Sequence, residues 1–168
     1  AATRFGKPVF GMIYDPLADE WAIADEEMVP QLQHPTGAPR TLRTSDPKPL
    51  EEMTGIVPLH LFAKSVRADL AATLPGFARA LTYRCSAVEY RMLAQGHVDF
   101  SLTALVHPWD HAAGALIAER AGAYVKMLDG TDYTATRRTG HLLIAPDKAT
   151  WSKLKKCFAF LLEAGETA

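Results

Sequence analysis

Cysteine is scarce in this 168-residue chain: Cys85 and Cys157 are the only two, far apart and in no Cys-x-x-Cys spacing. That excludes a zinc knuckle or a redox pair of that kind and fits two ordinary packed thiols in a reducing cytoplasm. Positive charge is not in surplus either. Lys and Arg number 18 against 19 Asp and Glu, a net charge of -1, so the chain lacks the basic excess that neutralises a nucleic-acid backbone. Long apolar runs are also missing. Stretches such as 112–118 and 157–162 fall well short of the roughly 20 residues a membrane span needs, so no membrane association is expected. The opening Ala-Ala-Thr-Arg-Phe has no Met and no apolar run behind a basic start, so it reads as a cut end and not as a signal peptide.

What is present is a globular composition, 48% hydrophobic and 22% charged, long enough for one domain or one domain and part of another. Residues 8–14 and 20–24 are strand-like runs around Asp15-Pro16-Leu17-Ala18-Asp19, which predicts a β-hairpin. Its Phe10, Ile13 and Trp21 need cover that a lone hairpin cannot give, which points to preceding residues in the same fold. Five prolines between 29 and 49 mark a connector with one short strand near 40–43, and the boundary falls near Leu50. Beyond it, strands are expected at 53–59, 78–83, 98–102, 124–128 and 141–145. Helices are expected at 62–74, at 86–94 opened by a Ser86 cap, at 110–121 and at 147–162. This alternation is that of a sheet with helical crossovers.

The most distinctive run is His107-Pro108-Trp109-Asp110-His111-Ala112-Ala113-Gly114-Ala115. Here an aspartate stands at the entrance of a helix of small residues, which by itself is what an N-cap looks like. The wider pattern says more. Trp109-Asp110-x-Ala-Ala-Gly-x-Leu-Ile, then Glu119-x-Ala-Gly-Ala, resembles the second signature of the inositol monophosphatase family. Ser86-Ala87-Val88, Leu93-Ala94-x-Gly96 and Val98-Asp99 extend the likeness backwards without a gap, and Asp129-Gly130 and 141–146 extend it forwards. The front hairpin, Gly6-Lys7-Pro8-Val9-x-Gly11-Met12-Ile13-Tyr14-Asp15-Pro16, is similar to the family's middle strands.

The resemblance implies an α/β protein: the C-terminal α/β domain (50–168) of a layered α-β-α-β-α sugar-phosphatase-like fold, with a remnant hairpin of the N-terminal α+β domain (1–49). It implies that Asp110 is a Mg²⁺ ligand, with Trp109, His107 and Gly114 supporting the motif. The activity implied is hydrolysis of a small phosphorylated sugar or polyol by paired magnesium ions, in a homodimer. The family's other ligands, a Glu-Glu pair and an Asp-Pro-x-Asp-Gly-Thr motif, do not occur in this sequence. Asp15-Pro16-Leu17-Ala18-Asp19 has the opening but not the rest, and reads as a plain turn. Catalytic residues are therefore expected outside this chain.

Two departures bear on substrate: Thr103 stands where the family often has a Glu that binds a sugar hydroxyl, and Arg84 where it often has Gly. Ser86, Thr103 and Arg84 are the substrate-facing candidates. A His107/Asp110/His111 zinc site is disfavoured because Pro108 breaks the helical spacing, and the histidines are expected to line or cap the cleft. Lys153, Lys155, Lys156, Arg137 and Arg138 read as solvated faces. The rival readings are a catalytically incompetent chain with a binding or assembly role, and a fructose bisphosphate or nucleotide 3'-phosphate as substrate.

Overall fold

The computed structural model describes residues 1–163. Alternation in the first quarter of the chain builds strands β1 (Ala2–Arg4), β2 (Lys7–Asp15), β3 (Glu20–Asp25), β4 (Gln31–Gln33) and β5 (Arg40–Thr41), joined in that order into one antiparallel sheet. The expected hairpin is its centre, with β2 paired to β3 from Phe10↔Asp25 to Asp15↔Glu20. The Asp15 carboxylate accepts the N–H groups of Leu17 and Ala18 and closes the turn locally. The segment expected to be a connector with one strand instead supplies two, β4 and β5. Strands of two and three residues show no readable alternation among prolines.

The second sheet contains β6 (Thr54–Ile56), β7 (Arg79–Leu81), β8 (Phe100–Thr103), β9 (Tyr124–Met127) and β10 (Leu142–Ala145), in the order β7-β6-β8-β10-β9. β6 runs parallel to β7 and β8, whereas β10 runs antiparallel to β8 and β9. The helices are α1 (Arg67–Thr73), α2 (Ser86–Ala94), α3 (Pro108–Arg120), α4 (Lys148–Cys157) and α5 (Phe160–Glu163). Two expected elements are shorter than their apolar runs. β6 stops before Pro58, which has no N–H for a sheet ladder, and 62–66 is extended chain and a 3₁₀ turn before α1 begins. The last helix, expected as one, breaks between Cys157 and Phe160. No helix among the described residues is long and apolar enough to cross a membrane.

Side-chain packing orders these elements into four layers. Tyr90, Leu93, Ala112, Ala115 and Ala118 of α2 and α3 pack on Ile56, Met127, Leu142 and Ile144, one face of the second sheet. The opposite face, with Phe100, Leu102, Leu143 and Ala145, is covered by Leu70 of α1 and by Trp151 and Leu154 of α4, with Phe158 beyond it. On their other side, Ala94, Ile117 and Ala121 meet Ala22, Ala24 and Leu32 of the first sheet and Leu42 just after it.

Such close layering needs small residues. A Cβ on Gly11 would come within 2.7 Å of the Ala113 carbonyl oxygen, and one on Gly114 within 2.0 Å of the Tyr90 ring. Of the three apolar residues read as needing cover, Ile13 turns inward against the core, while Phe10 lies on the outer face. There Phe10, Met12 and Tyr14 are 37%, 49% and 49% exposed.

Candidate functional site

Because β6, β7 and β8 are parallel, their C-terminal ends share one edge of the sheet, and the chain leaves β7 for α2 and β8 for α3 at that edge. In open α/β sheets this is where ligands bind. α2 and α3 pack side by side, so their first turns lie at the same level, with Tyr90 of one against His111 of the other. The topology thus brings Arg84, Ser86, Thr103 and Asp110 to a single edge.

Pro108 opens α3, where its fixed φ suits a helix start and its missing N–H is not needed. The cap is His107 and not Asp110, whose backbone N–H donates to the His107 carbonyl at 3.1 Å. Asp110 therefore sits in the first turn, exposed, with no hydrogen bond or ion pair to its carboxylate among the described residues. Trp109 is 75% exposed and stacks on His107 at 4.8 Å between ring centroids. A carboxylate at a helix N-terminus is electrostatically stabilised, yet here no described residue engages it.

His111 does not line the cleft as expected; it is buried. Its Nδ1 lies 2.9 Å from the Tyr90 hydroxyl, within hydrogen-bond distance. Burial, opposed in part by the Asp110 charge, lowers the His111 pKa to about 4. The unfolded ring takes up a proton near pH 6.5, so stability is intact above that and falls as pH drops toward 4. The loss amounts to about 3 kcal/mol by pH 4 and below. Urea unfolding at pH 7 and pH 4.5 measures it, and His111→Gln should remove this part of the pH dependence.

The loop ahead of α2 is held by Glu89, whose Oε1 accepts the Thr82 hydroxyl at 2.9 Å and the N–H groups of Tyr83 at 2.8 Å and Arg84 at 3.2 Å. This fixes Arg84 in the left-handed region, φ 55°, which explains why glycine suits the position. The Arg84 side chain has no hydrogen bond or ion pair among the described residues. Arg84→Gly should raise stability by about 0.5–1 kcal/mol in thermal unfolding through release of backbone strain.

Ser86 is the first residue of α2 and not its cap; Cys85 holds that place and no side chain caps the helix. Thr103 is 5% exposed and its hydroxyl donates to the Leu105 carbonyl at 3.4 Å. Gly114 lies one turn inside α3, where its lack of a side chain admits Tyr90. Arg91, which the sequence reading passed over, is mostly buried and pairs with both Asp15 and Glu20, tying the hairpin tip to α2. A lone arginine in a helix gives no sequence signal of such a partner 71 residues away.

Among the described residues no group of three or more His, Cys, Asp or Glu is placed to hold a metal ion. Asp15 and Glu20 are engaged by Arg91, and buried Asp99 by Lys48 and the Thr54 N–H. Magnesium requires about six oxygen ligands. Asp110 fits as one hard oxygen donor, and the remaining donors are not in this set.

Many solved structures share the fold, among them the following three. An inositol monophosphatase from Zymomonas mobilis superposes with a TM-score of 0.80 at 18% identity, over 92% of this chain and 58% of its own. One from Anabaena (Nostoc) sp. PCC 7120 gives 0.76 at 22% identity, over 92% and 62%. SuhB of Mycobacterium tuberculosis gives 0.74 at 24% identity, over 95% and 61%. This chain thus spans about three-fifths of the length of these structures. No curated protein matches it by sequence. The inositol monophosphatase family profile matches residues 1–163, all that the structure describes. The chain therefore belongs to the inositol monophosphatase family.

Proposed function

We propose that this chain forms one wall of a magnesium-dependent phosphomonoesterase acting on a small sugar or polyol phosphate. The observation that supports this best is Asp110 itself: a carboxylate exposed at the first turn of α3, beside the helix's positive end, with no partner in the described residues. Asp110 would hold magnesium as one oxygen ligand, the others coming from polypeptide outside this sequence. Bound there, magnesium supplies charge to hold the phosphate and to acidify a water. Within this chain, Pro108 and the His111–Tyr90 pair fix the first turn of α3 and so the direction of Asp110. Ser86 and Arg84 face the alcohol portion of the substrate, and Thr103 shapes the loop beneath it. The same family likeness supports a cytoplasmic homodimer.

The test is phosphate release from a panel of inositol, sugar and nucleotide phosphates, fructose bisphosphate and a nucleotide 3'-phosphate included, by the longest polypeptide the gene encodes. Release from at least one polyol or sugar phosphate that stops on chelation of magnesium is the expected result. Undiminished release in excess chelator contradicts the reading. One observation favours a second reading, a binding or assembly role without catalysis: the described residues assemble no metal cluster. No release from any member of the panel would select it.

A further inference from the structure

Residues 82–85 carry the chain from β7 to α2 at the edge where Arg84 and Ser86 stand. Since β7 is the outermost strand of its sheet, a neighbouring strand borders this loop on one side only. Its form comes instead from one side chain. Glu89 is partly buried in the first turn of α2, where a helical side chain leans back toward the N-terminus and so over the loop. Its Oε1 gathers the Thr82 hydroxyl and the Tyr83 and Arg84 N–H groups, and the Thr82 oxygen in turn accepts the Arg84 N–H at 3.1 Å. Two successive backbone donors are thus satisfied by side chains and not by a strand.

The consequence falls on Arg84. At φ 55° a residue with a Cβ is strained, and on release it would relax to negative φ and turn its side chain elsewhere. Glu89 engages the main chain of Arg84 and, among the described residues, forms no ion pair with its guanidinium, so the cation stays open to a ligand. Of the four residues placed at this edge, Ser86 and Thr103 are neutral and Asp110 is an anion. Arg84 is the cation of the set, with N–H donors in a planar fork that suits the oxygens of a phosphorylated ligand.

We propose, on the phosphatase reading above, that Glu89 is a positioning residue for substrate: its carboxylate holds Arg84 in the left-handed conformation from which the guanidinium meets oxygens of the alcohol portion.

Steady-state phosphate release by the longest polypeptide the gene encodes, on the best substrate of the panel, tests it with Glu89→Ala, Glu89→Gln, Arg84→Ala and the Glu89→Ala/Arg84→Ala double variant. Glu89→Ala should raise KM about fivefold to tenfold and leave kcat within about twofold, because substrate binding is lost and the chemistry is not. The half-saturating magnesium concentration should keep its wild-type value. Glu89→Gln keeps an acceptor oxygen without the charge and should recover at least about half of the loss. In the Arg84→Ala background, Glu89→Ala should raise KM no further, since residues that act through one another are not additive. A purely structural Glu89 would lower the melting temperature and leave KM where it was. An unchanged KM in Glu89→Ala, or an equal rise with and without Arg84, overturns the positioning role while the phosphatase reading stands. No release by the wild type from any substrate overturns both.

Discussion

Gly114→Ala should destabilise the protein by about 2–3 kcal/mol, and Gly114→Leu should yield no folded protein. In an open helix the alanine would be favourable by about 1 kcal/mol, so the sign depends on what surrounds it. A Cβ at this position would stand 2.0 Å from Cγ of Tyr90, and that ring cannot swing aside. It is buried, and its hydroxyl is committed to His111. Relief requires α2 and α3 to separate, which opens the layer that supports the second sheet and tilts the first turn of α3. Thermal unfolding measures the effect, with a drop of about 5–10 °C expected for the alanine variant at this chain length. The double variant with Tyr90→Leu should recover part of the loss, because the two residues are in contact and their effects are not additive. A neutral Gly114→Ala would mean that the helices are not in close contact here.

Asp110→Asn should cut magnesium-dependent phosphate release roughly 10²- to 10³-fold at a fixed low magnesium concentration, about 3–4 kcal/mol of lost transition-state stabilisation. The amide keeps the size and the carbonyl oxygen but brings no charge to a hard cation. Since Asp110 is exposed and unpartnered, its folding stability should be nearly unchanged; the helix-end interaction is worth at most about 1 kcal/mol. That combination, lost rate with retained stability, separates a ligand from a structural cap. In Gly114→Ala the order reverses, with stability falling first.

The sequence made the second sheet and α3 legible because their signals are local. Tyr124 to Leu128 is a short apolar run closed by Asp129-Gly130, and Asp110 to Ala121 is bounded by Pro108 and Gly122. It misjudged ends. The Ser86 cap was read from residue type, yet the chain's geometry gave the α2 cap to Cys85, and at α3 His107 takes the cap ahead of Asp110. Propensity for a cap states only what a residue can do, and a proline at the first helical position moves the helix start upstream. β4 and β5 escaped because short strands are defined by their neighbours and not by their own pattern.

Within the site, Asp110 and Gly114 came from the motif, but the reasons they matter are long-range. Tyr90 explains Gly114, and burial against α2 turns His111 from a cleft histidine into a neutral core ring. Arg91, with partners on two strands far away in sequence, left no trace at all. Arg84 shows the reverse: a residue noted only as a departure from a glycine acquires a physical reason, the left-handed backbone that Glu89 imposes.

The most direct test of Asp110 as a magnesium ligand is a magnesium titration of phosphate release, wild type beside Asp110→Asn, on the best substrate of the panel and the longest polypeptide the gene encodes. The account predicts that the half-saturating magnesium concentration rises at least about tenfold in the variant. Superimposable magnesium curves for the two proteins would contradict it.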